Sequence, residues 1–182
     1  MRARQPHKLA YPVMIETRTA SASMPTAVES ILIAGVGNVF HGDDAFGVEV
    51  VRRLSQRDLP AGVRAVDFGI RGFDLAYAIA GGPAAVILVD ATRRGGEPGT
   101  LYALEIDPVP GPREIDTHAI DPSNVLRLAA ALGASPRRVY LVGCEPSDVS
   151  FETAGLSPRV DDAIDGAIDL VMSLVDRLHG GG

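Results

Sequence analysis

The sequence predicts an α/β fold, and the clearest evidence lies in one stretch near the start of the chain. Residues 31–34 form a short apolar run of the kind that a parallel sheet covers on both faces. Gly35 and Gly37 follow it and permit a tight turn or a close backbone approach. Apolar residues then recur at helical spacing over residues 46–54. Strand, turn and helix in this order are the repeating unit of a parallel sheet.

A glycine turn after a strand can bind a dinucleotide, but the chemistry of this turn argues against it. The third glycine of that fingerprint would fall at Phe40, and a phosphate needs bare N–H groups at the helix N-terminus. Asp43 and Asp44 occupy that place, where they would repel a phosphate and attract a cation. The alternative is that both serve the helix, with Asp43 as its N-cap and Asp44 in its first turn.

Length and composition limit the number of domains and the kinds of partner that this protein can have. A chain of 182 residues, 46% of them hydrophobic, predicts one domain with a sizeable core. The formal net charge of −6, without a long basic cluster, argues against nucleic acid as a partner. No apolar run approaches the roughly 20 residues needed to span a bilayer, so no membrane association is expected. Cys144 is the single cysteine, which excludes an intramolecular disulfide and a thiolate zinc cluster and fits a reducing cytoplasm.

The first part of the chain differs from the rest. Residues 1–29 carry scattered basic and hydroxyl side chains, show no sustained periodicity and lack the apolar stretch of a secretory signal. We expect a disordered extension there, or an upstream start with Met24 as the alternative, followed by one domain over residues 30–179.

The remaining pattern predicts four more strands and three more helices. The strands are expected over residues 63–68, 84–89, 100–106 and 138–143, and the helices over residues 74–80 and 125–132 and from residue 158 onward. In the second helix of the chain, Leu75 and Ile79 are expected to pack inward, with Tyr77 as a further candidate.

Asp90 ends the most apolar of these runs. In open α/β sheets, ligands gather beyond the carboxyl ends of strands, beside the point where the chain order reverses. We therefore expect Asp90 to project toward the same rim as the turn that carries Asp43 and Asp44. Its alternative role is to cap the following loop through an Asx turn.

Two histidines are candidates to complete a cation site. His118 lies just before a predicted helix, and one imidazole with two carboxylates suits a borderline divalent ion such as Ni²⁺ or Zn²⁺. Asp116 is placed to orient that ring, and His41 is the competing imidazole.

Cys144 follows the last predicted strand, where a nucleophile would be well placed. A reactive thiol needs a histidine and an electropositive setting, whereas the neighbour here is Glu145, which raises a thiol pKa. We interpret Cys144 as a packing residue and Glu145 as a candidate rim residue.

Several motifs together resemble those of the hydrogenase maturation endopeptidases, which trim the C-terminal tail of the nickel-iron hydrogenase large subunit. The first is Gly-Val-Gly-Asn at 35–38, followed by the two carboxylates of residues 43–44 and by Gly47. Residues 86–91, 116–118 and 139–146 agree with the same family, in order and at familiar spacing.

The resemblance implies a fold, a ligand set and a partner. The fold is a single three-layer α/β domain, a twisted, mostly parallel five-stranded sheet with helices on both faces. Nickel recognition falls on Asp44, Asp90 and His118, with Asp44 standing where many members carry Glu. The nickel would come with the substrate, the hydrogenase large-subunit precursor, although another divalent ion can replace it in the isolated protein. The protease itself would be a monomer.

The chemistry of hydrolysis must then come from carboxylates and a metal. No nucleophile elbow, His-Glu-x-x-His zinc helix or Cys/His dyad appears in the sequence. Asp43 and Asp44 are the catalytic candidates; either a carboxylate such as Asp43 or a water on the metal would activate attack on the peptide. Two alternatives remain: a non-catalytic nickel-binding chaperone, and a hydrolase of related fold that acts on small molecules.

Overall fold

A computed structural model describes residues 14–16, 30–108, 122–134, 136–147, 149 and 155–180. The strands are β1 Met14–Glu16, β2 Ile31–Val36, β3 Val63–Gly69, β4 Ala85–Ala91, β5 Leu101–Ile106 and β6 Arg138–Cys144. The helices are α1 Phe46–Leu54, α2 Gly72–Ala80, α3 Pro122–Ala131, α4 Pro158–Asp162 and α5 Ile164–Gly180, and a short 3-10 helix, Gly42–Ala45, precedes α1.

The strands form one sheet in the order β1-β5-β6-β4-β2-β3. β3, β2, β4 and β6 are mutually parallel, while β5 runs antiparallel to β6 and β1 runs parallel to β5. The predicted α/β fold with a mostly parallel sheet is confirmed, and β2 to β6 are the five predicted strands. The sixth, Met14–Glu16, lies within residues 1–29, where a disordered extension is expected, and it adds three residues at the edge of the sheet. The division of the chain at residues 29 and 30 stays a prediction.

Helices cover both faces of the sheet. α1, α4 and α5 bury side chains such as Phe46 and Ile168 against one face, and α2 and α3 bury Leu75 and Leu126 against the other. The expected inward packing of Tyr77 is wrong, because its side chain is 64% exposed. Positions two apart in a helix face different directions, so Tyr77 cannot share the buried face of Leu75. Among the described helices, none is long and apolar enough to cross a membrane.

The chain order reverses between β2 and β4. The chain leaves β2 toward β3 on one side and returns to β4 on the other, and all three strands run in the same direction. Gly35 of β2 is paired with Val89 of β4, and Asp90 follows directly. The predicted position of Asp90 at the carboxyl edge of the sheet, beside the reversal of chain order, is therefore confirmed.

Glycines allow α1 to lie directly against the ends of these two strands. A Cβ added to Gly47 would lie 2.0 Å from the carbonyl oxygen of Val89 and 2.4 Å from that of Val36. A Cβ on Gly35 would in turn lie 2.4 Å from the carbonyl oxygen of Gly47, and one on Gly37, whose φ is +130°, would lie 1.8 Å from that of Asp44. The backbone of α1 therefore packs directly on the backbone of β2 and β4 at the start of the helix.

We expect Gly47→Ala to destabilise the protein by about 1–3 kcal/mol or more, because the contacts of the added methyl group are with backbone that cannot rotate away. Thermal or urea unfolding measures the loss. Gly180→Ala, at the exposed end of α5 where no atom lies within 4 Å of the added Cβ, is the matched control and should be nearly neutral. Equal unfolding midpoints for the two variants would contradict the close packing of α1.

Candidate functional site

Asp44 lies in a closed turn at the carboxyl edge of the sheet. Its Oδ2 accepts a hydrogen bond from the backbone N–H of Asn38 at 2.7 Å. The backbone N–H of Asp44 donates to the carbonyl oxygen of His41 at 3.0 Å, and the N–H of His41 donates to that of Asn38 at 3.0 Å. The side chain of Asp44 is partly exposed, so a ligand can reach it while the turn keeps it in place.

Asp43 has a different environment from its neighbour. It is fully buried, and its Oδ1 accepts the N–H of Ser157 at 2.6 Å. Its Oδ2 accepts the Ser157 hydroxyl at 2.9 Å and the N–H of Ser147 at 2.8 Å. The predicted N-cap role of Asp43 is wrong, since it lies inside the 3-10 helix and the residue before α1 is Ala45, which makes no side-chain cap.

The contacts of Asp43 tie three distant parts of the chain together. They join the turn before α1 to the loop after β6 and to the residue that precedes α4. These donors satisfy the oxygens of a carboxylate that lies away from water. These contacts give Asp43 a structural role, because they hold the turn before α1 in place. The predicted catalytic role of Asp43 stays a prediction.

Asp90 lies near the end of β4, partly buried, and its electrostatics connect it to Asp44. Burial raises the pKa of Asp90 well above its ordinary value, and the nearby negative charge of Asp44 raises it further. The backbone N–H of Ala91 opposes this shift. A partly buried carboxylate beside a second negative charge is a place that a cation would stabilise.

The structure brings together two members of the predicted ligand set. Asp44, in the turn before α1, lies close enough to Asp90 of β4 to affect it electrostatically, whereas His118 and Asp116 lie outside the described residues. Within the described part of the chain, no group of three or more His, Cys, Asp and Glu side chains is arranged around a common point. The chemistry of the pair, two oxygen donors of like charge, fits a divalent cation that finds its remaining ligands elsewhere.

Glu145 is a structural residue that the sequence interpretation placed at the rim. It is buried, and its carboxylate accepts the N–H groups of Arg94 at 2.8 Å and Gly95 at 3.2 Å and the hydroxyl of Tyr102 at 2.8 Å. Burial alone would raise the pKa of Glu145, but these donors and the N–H of Gly96 hold it below its ordinary value. The loop after β4 is therefore folded around this carboxylate. The charged, glycine-rich stretch of residues 93–99 is the local signal in the sequence for such a loop.

Cys144 is buried at the end of β6. Burial raises the pKa of its thiol to about 12, and the charges of Asp43 and Glu145 contribute to the shift. The interpretation of Cys144 as a packing residue is confirmed, because its side chain is fully buried in the apolar core that α1 and α5 form with the sheet.

The family comparison decides the class of protein. A model of the hydrogenase maturation protease family matches residues 48–174, more than half of the chain. This chain belongs to that family. The match begins after the turn of residues 38–44, so the later motifs support the assignment independently of the first one.

Known relatives agree with the assignment of this protease. The hydrogenase expression/formation protein HupD of Rhodobacter capsulatus is 35% identical over 144 residues, which are 77% of this chain and 68% of that protein. A putative hydrogenase maturation protease of Methanocaldococcus jannaschii is 30% identical over 154 residues, 82% of this chain and 98% of its own length. The solved hydrogenase maturating endopeptidase HybD of E. coli superposes with a TM-score of 0.71 at 32% identity, covering 83% of this chain and 94% of that one. The predicted family, fold class and peptidase activity are confirmed.

We expect Cys144→Ala to keep the peptidase activity of the protein, because the thiol is buried and protonated. At pH 8 a thiol with a pKa of about 12 is ionised in about one molecule in ten thousand. A thiol-specific reagent should therefore modify the native protein slowly and the unfolded protein completely. Loss of activity in the variant, with an unchanged unfolding midpoint, would show that the thiol takes part in the reaction.

Glu145 should make stability depend on pH at the acidic end. Its pKa is lower in the folded protein than in the unfolded chain, so its stabilising effect is present above the unfolded pKa of about 4.3 and is lost as the pH falls through the folded pKa. We expect Glu145→Gln to be less stable than the wild type at neutral pH and the difference to shrink on acidification. Glu97→Gln, an exposed residue of the same loop, is the control. Parallel stability curves for wild type and Glu145→Gln would contradict this role.

Proposed function

We propose that this protease removes the C-terminal extension of a nickel-iron hydrogenase large-subunit precursor, and that it recognises the nickel already held by that precursor. The observation that carries the proposal is the pair of carboxylates, Asp44 and Asp90, at the reversal of chain order between β2 and β4. Both belong to the carboxyl edge of the sheet, where open α/β folds bind their ligands. Burial first, and the nearby charge of Asp44 second, raise the pKa of Asp90, and the positive charge of a substrate metal would favour its ionised form.

In this proposal each of the three ligands makes a separate contribution to recognition of the nickel. The carboxylate of Asp44 accepts the N–H of Asn38 through one oxygen, and that of Asp90 interacts with the backbone N–H of Ala91, so both have a partner in the protein before the substrate arrives. His118 supplies the nitrogen donor that the resemblance implies. Contact with nickel would fix the position of the adjoining tail, and a precursor without nickel would lack this contact. Cleavage would then follow metal insertion, with specificity set by geometry as well as by affinity.

Burial distinguishes the two neighbouring carboxylates, Asp43 and Asp44. Asp43 is buried under donors from Ser147 and Ser157, whereas Asp44 is partly exposed at the edge of the sheet. We infer that Asp44 can touch the substrate and that Asp43 acts by positioning the turn. Carboxylate chemistry is the class of hydrolysis favoured here, since the thiol of Cys144 is buried and protonated. A monomeric state, a cytoplasmic location and the absence of membrane or nucleic-acid partners stay predictions.

A processing assay tests the proposed function. The purified protein is incubated with nickel-loaded large-subunit precursor, and mass spectrometry follows the loss of the C-terminal tail. We expect cleavage by the wild type, and rates lower by roughly 10- to 100-fold or more for Asp44→Asn, Asp90→Asn and His118→Ala, since each removes a contact to the metal. The nickel-free precursor should remain uncleaved.

Two further variants separate recognition from folding. Asp176→Asn changes an exposed carboxylate of α5 and should process the precursor at the wild-type rate. Asp43→Asn should lower the unfolding midpoint as well as the rate, because an amide nitrogen in place of one carboxylate oxygen cannot accept the hydrogen bonds that Ser147 and Ser157 donate. Wild-type processing by both Asp44→Asn and His118→Ala would overturn the nickel-recognition proposal.

A further inference from the structure

Large apolar side chains are exposed beside the carboxylate pair. Phe40 is 75% exposed and Phe73 is 72% exposed, and Val39 and Ile70 beside them are exposed as well. We call these four residues the apolar rim. Tyr77 extends it by one turn along α2. Large apolar side chains exposed near one edge of a sheet are candidates for an interaction site, since their contact with water is unfavourable.

The topology places the two loops that carry the apolar rim, one after β2 and one after β3, side by side. β2 and β3 are parallel neighbours, so the loops that follow them leave the sheet at the same edge. The N–H of Gly37 donates to the carbonyl oxygen of Gly69 at 3.1 Å, which ties the two loops together. Val39 and Phe40 come two and three residues after Gly37, and Ile70 comes directly after Gly69.

The apolar rim is also continuous with Asp44. Phe40 lies within the turn that Asn38 closes by donating its N–H to the carboxylate of Asp44 at 2.7 Å. The N–H of Phe40 itself donates to the side-chain oxygen of Asn38 at 3.0 Å. A protein that brings a group to Asp44 must therefore cover the neighbouring surface of Phe40.

We propose that the apolar rim is the docking surface for the folded body of the hydrogenase large-subunit precursor, next to the tail that is removed. This inference rests on the proposed function, because it takes the substrate of that reaction as the occupant. The matching surface of the precursor is apolar, and Phe40 and Phe73 are the two anchors, since aromatic side chains contribute most of the affinity of protein interfaces. Docking there would add affinity and orientation to the contact with the metal.

The position of the apolar rim favours the precursor over other occupants. A second copy of this chain seated on it would cover the turn that holds Asp44 and would block a protein substrate. The N-terminal residues 1–13, folded over the same place, would have the same effect. The carboxylate pair stays accessible to a protein substrate only if the surface around it is free to receive that substrate.

Steady-state kinetics on nickel-loaded precursor test the docking surface. We expect Phe40→Ser and Phe73→Ser each to raise KM about 10-fold and to leave kcat unchanged, because the contacts they remove are made equally in the bound substrate and in the transition state. Ile70→Ser is a third variant with a smaller effect in the same direction. The change in KM should persist at high salt, since apolar contacts are not screened.

Leu132→Ser is the matched control. Leu132 is an exposed apolar residue that follows α3 and precedes the start of β6, at the opposite edge of the sheet, so its replacement should leave KM unchanged. Unfolding midpoints of all variants should equal that of the wild type, because the altered side chains are exposed. An unchanged KM in both phenylalanine variants, with normal cleavage by the wild type, overturns the docking proposal alone.

Other results would identify a different occupant or remove both proposals. A wild-type dimer that becomes monomeric in the variants without a change in KM would assign the apolar rim to a second copy. Faster tryptic cleavage at Lys8 or Arg18 in the variants, again without a change in KM, would assign it to the N-terminal segment. If the wild type neither binds nor cleaves the precursor, the proposed function and the docking proposal fail together.

Discussion

The direct contact of α1 with the carboxyl ends of β2 and β4 is the constraint on which the candidate site depends. Helices usually rest on a sheet through a layer of side chains, which separates the two backbones. At Gly35 and Gly47 that layer is missing, and the carbonyl oxygens of Val36 and Val89 touch the start of the helix. The turn before α1 is thereby lowered onto the edge of the sheet, and this brings Asp44 within electrostatic range of Asp90.

Four carboxylates surround this edge, and the hydrogen bonds of the loops divide them into two kinds. Asp43 and Glu145 are buried and accept N–H groups from segments that form no regular structure, so each organises a loop around a negative charge. Asp44 and Asp90 are only partly buried, and the second has a raised pKa. The anchored pair holds the loops in place so that the other pair can face a ligand. The cost of the two buried charges is offset by the donors that they collect.

Much of the fold could be predicted from the sequence because its strands and helices have strong local patterns. The apolar run that ends at Asp90 identified the central strand, and the parallel order of the sheet then determined at which edge Asp90 lies. The environment of Asp43 could not be predicted in the same way. Its partners, Ser147 and Ser157, lie 104 and 114 positions further along the chain, whereas an N-cap is a local pattern. Tyr77 was misplaced for a related reason, since aromatic character alone does not identify the buried side of a short helix.

The hydrogen-bond partners of Asp43 lie far along the sequence, and this affects when the turn before α1 can be completed during synthesis. The carboxylate of Asp43 is made early, but Ser157 emerges from the ribosome more than a hundred residues later. Until then Asp43 lacks the N–H and hydroxyl donors of Ser157, and before residue 147 is made it also lacks the N–H of Ser147. The turn before α1 is therefore completed by long-range contacts, and its full set of described hydrogen bonds can form only after residue 157 has been made.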